Sequence, residues 1–593
     1  MSLRNIIKSA AYTVLHMLLC AALFSLLAAG AILCMEAIWR GSFSLAVMWA
    51  ARLWRLFGML VLVTASLELA LYMLTGRMLA SVLLTNAVLT VTALVQHYKL
   101  ALRGEVFVLS DVMLASEALT AAAHFTIDVP WYVVLGCILM LLMPLCVWGM
   151  RLKKHYLSRL AVLALCAVTI GQGWSRILIM NEAPTQELVT YYHLNGLLAG
   201  LVWSRPQAPK EPKDYSEEAV CALLSEYAQE DDVQVKPDIL FVMSETLYDP
   251  GKLPGILLSE DPLAYMKTLQ ESHWGGELYV QSYGGGTAQT EYEVLTGCRV
   301  DYTSVSAYLD QTLVYDGMDS LASLLKRYGY YTMAMHPAQG SVYNREKAYR
   351  RMGFDETVFI EDMAPPYSDV GPYPSDRYLF EEIIRQYEGR PEDQPWFSFV
   401  VTYQNHGGYD YGYDAHGIAA VGSDGALMPN ATTYANALRE SDIQLQMLTE
   451  YFAARQRPVV LVIFGDHAPA LSQVGCRQVG SSPEAQCRIH TTPLLIYSNY
   501  GLEMPEDTPR TLSAYRLGAV LLHALGFRSD AYYNYLADGA VPNLYGAAGW
   551  MVDQNGVHED AEAFDAALEA LNLIRYDRIC GEQYGKGVTY RGE

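Results

Sequence analysis

A chain of 593 residues is longer than one hydrophobic core organises, so at least two domains are expected. Its 63 Asp and Glu against 41 Lys and Arg give a formal charge of −22. That balance excludes a nucleic-acid partner, which needs clustered cations, and gives no long-range pull toward anionic lipid. Any anionic substrate must be held by a local positive centre.

From Ala10 to about Trp174 the sequence is mostly Leu, Ala, Val and Met. Crossing the hydrocarbon takes about 20 apolar residues. Five stretches qualify, at 10–35, 56–75, 78–96, 130–150 and 158–174, and predict a five-helix transmembrane domain over residues 1–178. The first lacks a small-residue cleavage site and is too long for a signal peptide, so it is expected to be retained. Glu68 and His97 fall within or at the edge of these spans, where packing or interfacial roles are expected rather than a proton relay.

Orientation follows from Lys and Arg. The loop "RLKKHYLSR", from Arg151 to Arg159, is the densest short basic segment and is assigned to the cytoplasm. Arg4, Lys8 and Arg77 fall on the same side. Five crossings then place everything after Trp174 outside the cell membrane. Cys20, Cys34, Cys137, Cys146 and Cys166 lie in the spans and read as small apolar side chains. Cys476 and Cys487 bracket "CRQVGSSPEAQC" and are expected to pair in an oxidising compartment.

Residues 179–232 are polar, carry Pro206, Pro209 and Pro212, and read as a linker. From 233 to 593 short apolar runs alternate with helical patterns. The runs are "PDILFVMSE", "GYYTMAMHP", "PWFSFVVTYQNH", "PVVLVIFGDHAP" and "TTPLLIYSN". Near-continuous apolar character suits strands buried on both faces, and the alternation predicts an α/β domain with a mostly parallel sheet covered by helices. Glu245, His336, His406 and the pair Asp466–His467 stand at the C-terminal ends of these runs, the edge where such sheets collect ligands. Carboxylates with an imidazole suit a divalent cation such as Mn or Zn.

Three glycines run into Thr287 in "QSYGGGTAQTEYEVLTG". A P-loop would need a Lys that is absent here, and a dinucleotide fingerprint would need a preceding βαβ strand and a later acidic partner. A plain turn remains the alternative to chemistry. For chemistry speaks the helix opened by Thr287, whose N-terminal N–H groups suit an anion, and a hydroxyl that a metal would activate.

Taken together, these motifs resemble those of the lipoteichoic acid synthases and related phosphoglycerol transferases of the alkaline phosphatase/sulfatase superfamily. The resemblance runs over nearly the whole chain, including "RGEVFVLSDVML" and "LNLIRYDRICGEQY". It implies a sulfatase-like extracytoplasmic catalytic domain over 233–593, with Thr287 as nucleophile and Glu245, Thr287, Asp466 and His467 as ligands of one divalent cation, Mn, with Zn or Mg as alternatives. It implies His406 beside the substrate phosphate or leaving group, and His336, Tyr343 and Arg345 as headgroup contacts in "HPAQGSVYNREKAYRRMGFDE". The implied activity moves glycerol phosphate from phosphatidylglycerol through a threonine-linked intermediate to a polyglycerolphosphate or glycan acceptor. The chain departs from the family pattern at Tyr343, where a tryptophan stands, and at Ala338, where an acidic residue stands.

Other readings differ in class. A sulfatase would need a Cys-x-Pro/Ala-x-Arg signature that Cys298 in "GCRV" does not supply. Phosphoethanolamine transferases usually carry cysteines around the nucleophile, absent here. A phosphatase on the same scaffold, or a non-enzymatic membrane sensor, complete the alternatives. A sensor would have no need of Glu245, Thr287, His406, Asp466 and His467 together.

Overall fold

The computed structural model describes residues 3–103, 106–114, 129–149, 156–180, 188–204, 211–300, 314–471, 482–539, 541, 543–544, 551–553, 556–558, 565–586 and 588. Residues 151–155 of the basic loop and Cys476 lie outside the described residues, as does the expected Cys476–Cys487 pair. Two compact units divide the chain, residues 1–109 with 127–205 and residues 110–126 with 206–593.

The first unit is helical. Ala21–Arg40, Trp54–Thr75, Met78–Ala101 and Arg159–Ile177 are long and apolar enough to cross a membrane. The expected span at 130–150 is instead an α-helix, Trp131–Leu142, that tightens into a 3-10 turn at Met143–Val147. Pro144 has no N–H to continue the ladder and crowds the preceding turn, so the helix ends there. Among the described residues four helices, where five were expected, are long and apolar enough to cross a membrane, and Trp131–Val147 is a shorter apolar helix. Glu68 is buried in the Trp54–Thr75 helix, and the His97 ring meets Tyr98 and Tyr132 edge-on.

The described residues of 179–232 include regular helices, where its prolines suggest a linker. "LVTYYHLNGLLAGLVW" folds into the helices Leu188–Asn195 and Leu197–Trp203, because its apolar residues have a surface to bury against. A third helix, Glu217–Ser225, starts where the Ala219 N–H donates to the Ser216 hydroxyl.

The second unit is built on an eight-stranded sheet. Its strands are β1 (Asp238–Ser244), β2 (Trp274–Tyr279), β3 (Tyr331–His336), β4 (Glu356–Phe359), β5 (Trp396–Val401), β6 (Val459–Gly465), β7 (Thr491–Ser498) and β8 (Thr511–Ser513). They lie in the order β8-β2-β7-β6-β1-β5-β3-β4. All neighbours are parallel except β7, which runs against both β2 and β6. The five apolar runs are β1, β3, β5, β6 and β7. On β1, Ile239, Phe241 and Met243 enter one hydrophobic core while Leu240 and Val242 enter the other. A period of two with both faces covered is what makes the run read as continuously apolar. Strands β2, β4 and β8 carry no such run. Two glycines interrupt β2, and the other two are short.

Candidate active site

The parallel strands β1, β6, β5 and β3 point their C-terminal ends the same way. Glu245 follows β1, Asp466 and His467 follow β6, His406 lies just beyond β5, and His336 ends β3. Glu245, Asp466 and His467 are buried and bring one ligand atom each to within 4.8 Å of one another. Nε2 of His467 is 3.3 Å from Asp466 Oδ2 and 3.6 Å from Glu245 Oε1.

The backbone is shaped around this point. Gly465 closes β6, where a Cβ would stand 2.0 Å from the Leu247 carbonyl oxygen. Only glycine lets the turn after β1 approach so closely. Thr246 sits at φ 48, an uncommon conformation for a β-branched residue. Three hydrogen bonds hold it there. Its N–H donates to Asp466 Oδ1 at 2.7 Å, its hydroxyl to the Asn405 carbonyl at 2.6 Å, and its carbonyl accepts from Tyr434 at 2.7 Å.

Thr287 opens the Thr287–Thr296 helix. Gly284, Gly285 and Gly286 all have positive φ, and a Cβ on Gly286 would stand 2.9 Å from the Ser282 hydroxyl. The Thr287 hydroxyl lies 3.4 Å from Glu245 Oε2. The residue is 6 % exposed, so it does not sit at an open loop–helix junction, the setting its glycine-rich approach suggests. The glycines fold the chain inward and drive the side chain into the carboxylate cluster.

The donor set fits a cation. Nδ1 of His467 pairs with the Ala468 carbonyl at 3.0 Å and so carries the proton, leaving the Nε2 lone pair toward two carboxylates. Nε2 of His467 and Oδ2 of Asp466 are buried with no hydrogen-bond partner among the described residues. Converging lone pairs without a donor are costly unless a positive charge lies between them.

The headgroup candidates gather on a neighbouring wall. Arg345, 2 % exposed, donates from Nε to Glu291 Oε2 at 2.9 Å, and its guanidinium carbon lies 4.9 Å from the Tyr343 ring centroid. Glu291 is one turn along the same helix as Thr287, a spacing that places both on one face. Tyr343 and Asn344 occupy the left-handed region at φ 51 and 56. Nδ1 of His336 pairs with the Val401 carbonyl at 3.0 Å, and burial, with the Arg345 charge nearby, holds its pKa well below the ordinary imidazole value. The rings of His336 and His406 lie 5.4 and 5.1 Å from that of Tyr403.

Residues with no sequence motif of their own hold these groups in place. The Thr402 hydroxyl accepts from the Glu245 N–H at 3.0 Å and hydrogen-bonds Asp376. Ser441 donates to Asp376 Oδ2 at 2.6 Å and accepts from the side-chain amides of Gln404 and Asn405. Burial pushes the Asp376 carboxyl up to about 6, against the pull of those two hydroxyls. Thr246, Glu291, Thr402 and Asp376 escape a motif search because each acts through a neighbour; only Glu291, by its helical spacing from Thr287, was within reach of pattern reasoning.

Residues 237–527 match the Sulfatase family model. A Rhizobium meliloti protein named for cyclic beta-1,2-glucan modification is 31% identical over 371 residues, 59% of this chain and 56% of that protein. The capsular polysaccharide biosynthesis protein RkpI of Rhizobium meliloti is 30% identical over 197 residues, 32% of this chain and 33% of that protein. The chain thus spans about half the length of the first of these relatives and a third of the second. Among solved structures, the Streptococcus pyogenes phosphoglycerol transferase GacH with sn-glycerol-1-phosphate superposes at TM-score 0.52 with 22% identity, over 64% of this chain and 97% of that one. That likeness is one of fold.

Proposed function

We propose that this chain, whose residues 237–527 match the Sulfatase family model, is a membrane-anchored phosphoglycerol transferase. The observation that carries the reading is the convergence of Glu245, Asp466 and His467 with the Thr287 hydroxyl at 3.4 Å from Glu245. Glu245, Asp466, His467 and Thr287 would hold a divalent cation, which when bound makes a hydroxyl more acidic and offsets phosphate charge. The donor is phosphatidylglycerol, in keeping with the apolar helices of the first unit and with the activity in GacH's name. The soluble unit faces outward, and the basic loop at 151–159 faces the cytoplasm. The domains divide as 1–178, 179–232 and 233–593.

In the first step the Thr287 oxygen attacks phosphorus, its proton passing to the Glu245 carboxylate that accepts its hydrogen bond, and the bond to the diacylglycerol oxygen breaks. His406 delivers a proton to that leaving oxygen. In the second step an acceptor hydroxyl attacks the same phosphorus and gives its proton to His406, while the bond to Thr287 breaks and the Thr287 oxygen recovers its proton from Glu245. Glu245 orients the Thr287 hydroxyl, and the helix beginning at Thr287 presents N–H groups toward the phosphate. His336, Tyr343 and Arg345 line the headgroup side.

The test is incubation of the purified chain with fluorescent phosphatidylglycerol and Mn, reading diacylglycerol release and the mass of the Thr287 peptide. One added phosphoglycerol on that peptide is expected. Release from phosphatidylethanolamine instead would move the reading to phosphoethanolamine transfer.

A further inference from the structure

The transfer reading leaves the acceptor open between a polyanionic polyglycerolphosphate chain and a glycan, and two segments beside His406 bear on the choice. Residues 361–376 and 402–418 carry five exposed Asp and Glu (Glu361, Asp362, Asp369, Asp410, Asp414), with Asp376 buried behind them, and no Lys or Arg. The first cation beyond them, Arg377, is paired with Asp369 at 3.6 Å and with Glu381 at 3.3 Å. His416 is paired with Glu440 at 2.8 Å.

The same two segments are rich in tyrosine, and Tyr373 and Tyr413 both lie within electrostatic reach of Tyr411. Tyr373 feels the Glu245 charge and donates to the Gly407 carbonyl at 3.1 Å. Its ring centroid is 4.8 Å from Tyr403 and 4.9 Å from His406. Tyr411 follows, pressed against Gly371, where a Cβ would stand 2.9 Å from its ring. Tyr413 comes next, within electrostatic reach of Asp369 and donating to Glu440 Oε2 at 3.4 Å. Tyr373 is buried and serves the packing of this wall, whereas Tyr403, Tyr411 and Tyr413 are only half-buried.

We infer that this wall is the acceptor subsite and that its occupant is an uncharged glycan. Aromatic faces pack against the apolar C–H faces of sugar rings, and carboxylates such as Asp369 and Glu440 accept from sugar hydroxyls. A polyglycerolphosphate chain would bring a row of negative charges against an acidic rim that offers no unpaired Lys or Arg among the described residues, a repulsive arrangement. The glycan hydroxyl then forms the new bond to phosphorus as the bond to Thr287 breaks, so the inference rests on the transfer reading for its chemistry but not for its binding.

The test uses the full-length chain in detergent, with calorimetric titration of an uncharged gluco-oligosaccharide and of a polyglycerolphosphate oligomer of matched length. The glycan is expected to bind and the polyanion not to. Tyr413→Ala and Tyr411→Ala should each weaken glycan binding by about fivefold to tenfold. The Phe variants at the same positions should bind as the wild type does, because the ring face is kept. Preferential binding of the polyanion, or glycan affinity indifferent to both alanine variants, would overturn the inference. Failure to release diacylglycerol from phosphatidylglycerol would instead count against the donor reading, with the titration still deciding the acceptor.

Discussion

Thr287 and Glu245 are 42 residues apart in sequence, yet the Thr287 hydroxyl lies 3.4 Å from the Glu245 carboxylate. One opens a helix behind three glycines and the other follows the central strand of the sheet. Their meeting turns a glycine-rich run, equally readable as a turn, into part of a buried polar cluster.

Thr287→Ala should abolish diacylglycerol release while leaving the melting temperature within a few degrees of wild type, since only a hydroxyl and a methyl are lost. Thr287→Ser should retain part of the rate, because a primary hydroxyl can still attack. Undiminished release by the alanine variant would remove Thr287 from the mechanism.

Adding Mn to chelator-treated protein should raise the melting temperature, as any ligand bound by the native state alone does. Glu245→Gln and Asp466→Asn should lose most of that increment, each removing one anionic donor. Calorimetric scans with and without metal measure it directly. An increment of equal size in both variants would place the cation elsewhere.

Asp376 touches no expected ligand but accepts from Thr402 and Ser441, which hold the Glu245 N–H and the Gln404 and Asn405 side chains. Asp376→Asn should therefore lower kcat roughly 10-fold, the usual size of a supporting-shell effect, with the KM for lipid little changed. Steady-state kinetics separates the two. A change in KM alone would give Asp376 a different role.

His490 is buried with Nδ1 on the Val280 carbonyl, and burial pushes its pKa down to about 4. The native state favours the neutral ring, so the unfolded chain binds more protons below its ordinary value. Stability from this group is present above about pH 6.5 and is lost as pH falls toward 4. The loss at pH 5 is on the order of 2 kcal/mol. Asp376, raised to about 6, works in the opposite sense. Unfolding curves at pH 7 and pH 5 should thus show a smaller loss for His490→Gln than for wild type, and equal losses would refute the assignment.

Much was legible without coordinates where the signal is local. Apolar runs with polar ends marked β1, β3, β5, β6 and β7 because strands covered on both faces leave no room for polar residues. The glycines before Thr287 marked the start of the helix that carries the hydroxyl. Four long apolar helices stood out by length alone. Pro144 divides the fifth apolar stretch into a helix and a 3-10 turn, a local effect that the average over an apolar window conceals.

What only the tertiary structure decided concerns distance through space. Sequence placed Glu245, Asp466, His467 and His406 at strand ends, but the parallel pairing of β1 with both β5 and β6 is what brings those ends together. The burial of Thr287, the partnership of Arg345 with Glu291, and the reach of Asp376 through Thr402 to Glu245 leave no periodic trace. Hydrogen bonds between segments a hundred residues apart depend on how the sheet is ordered, and strand order is written in no single stretch of the chain.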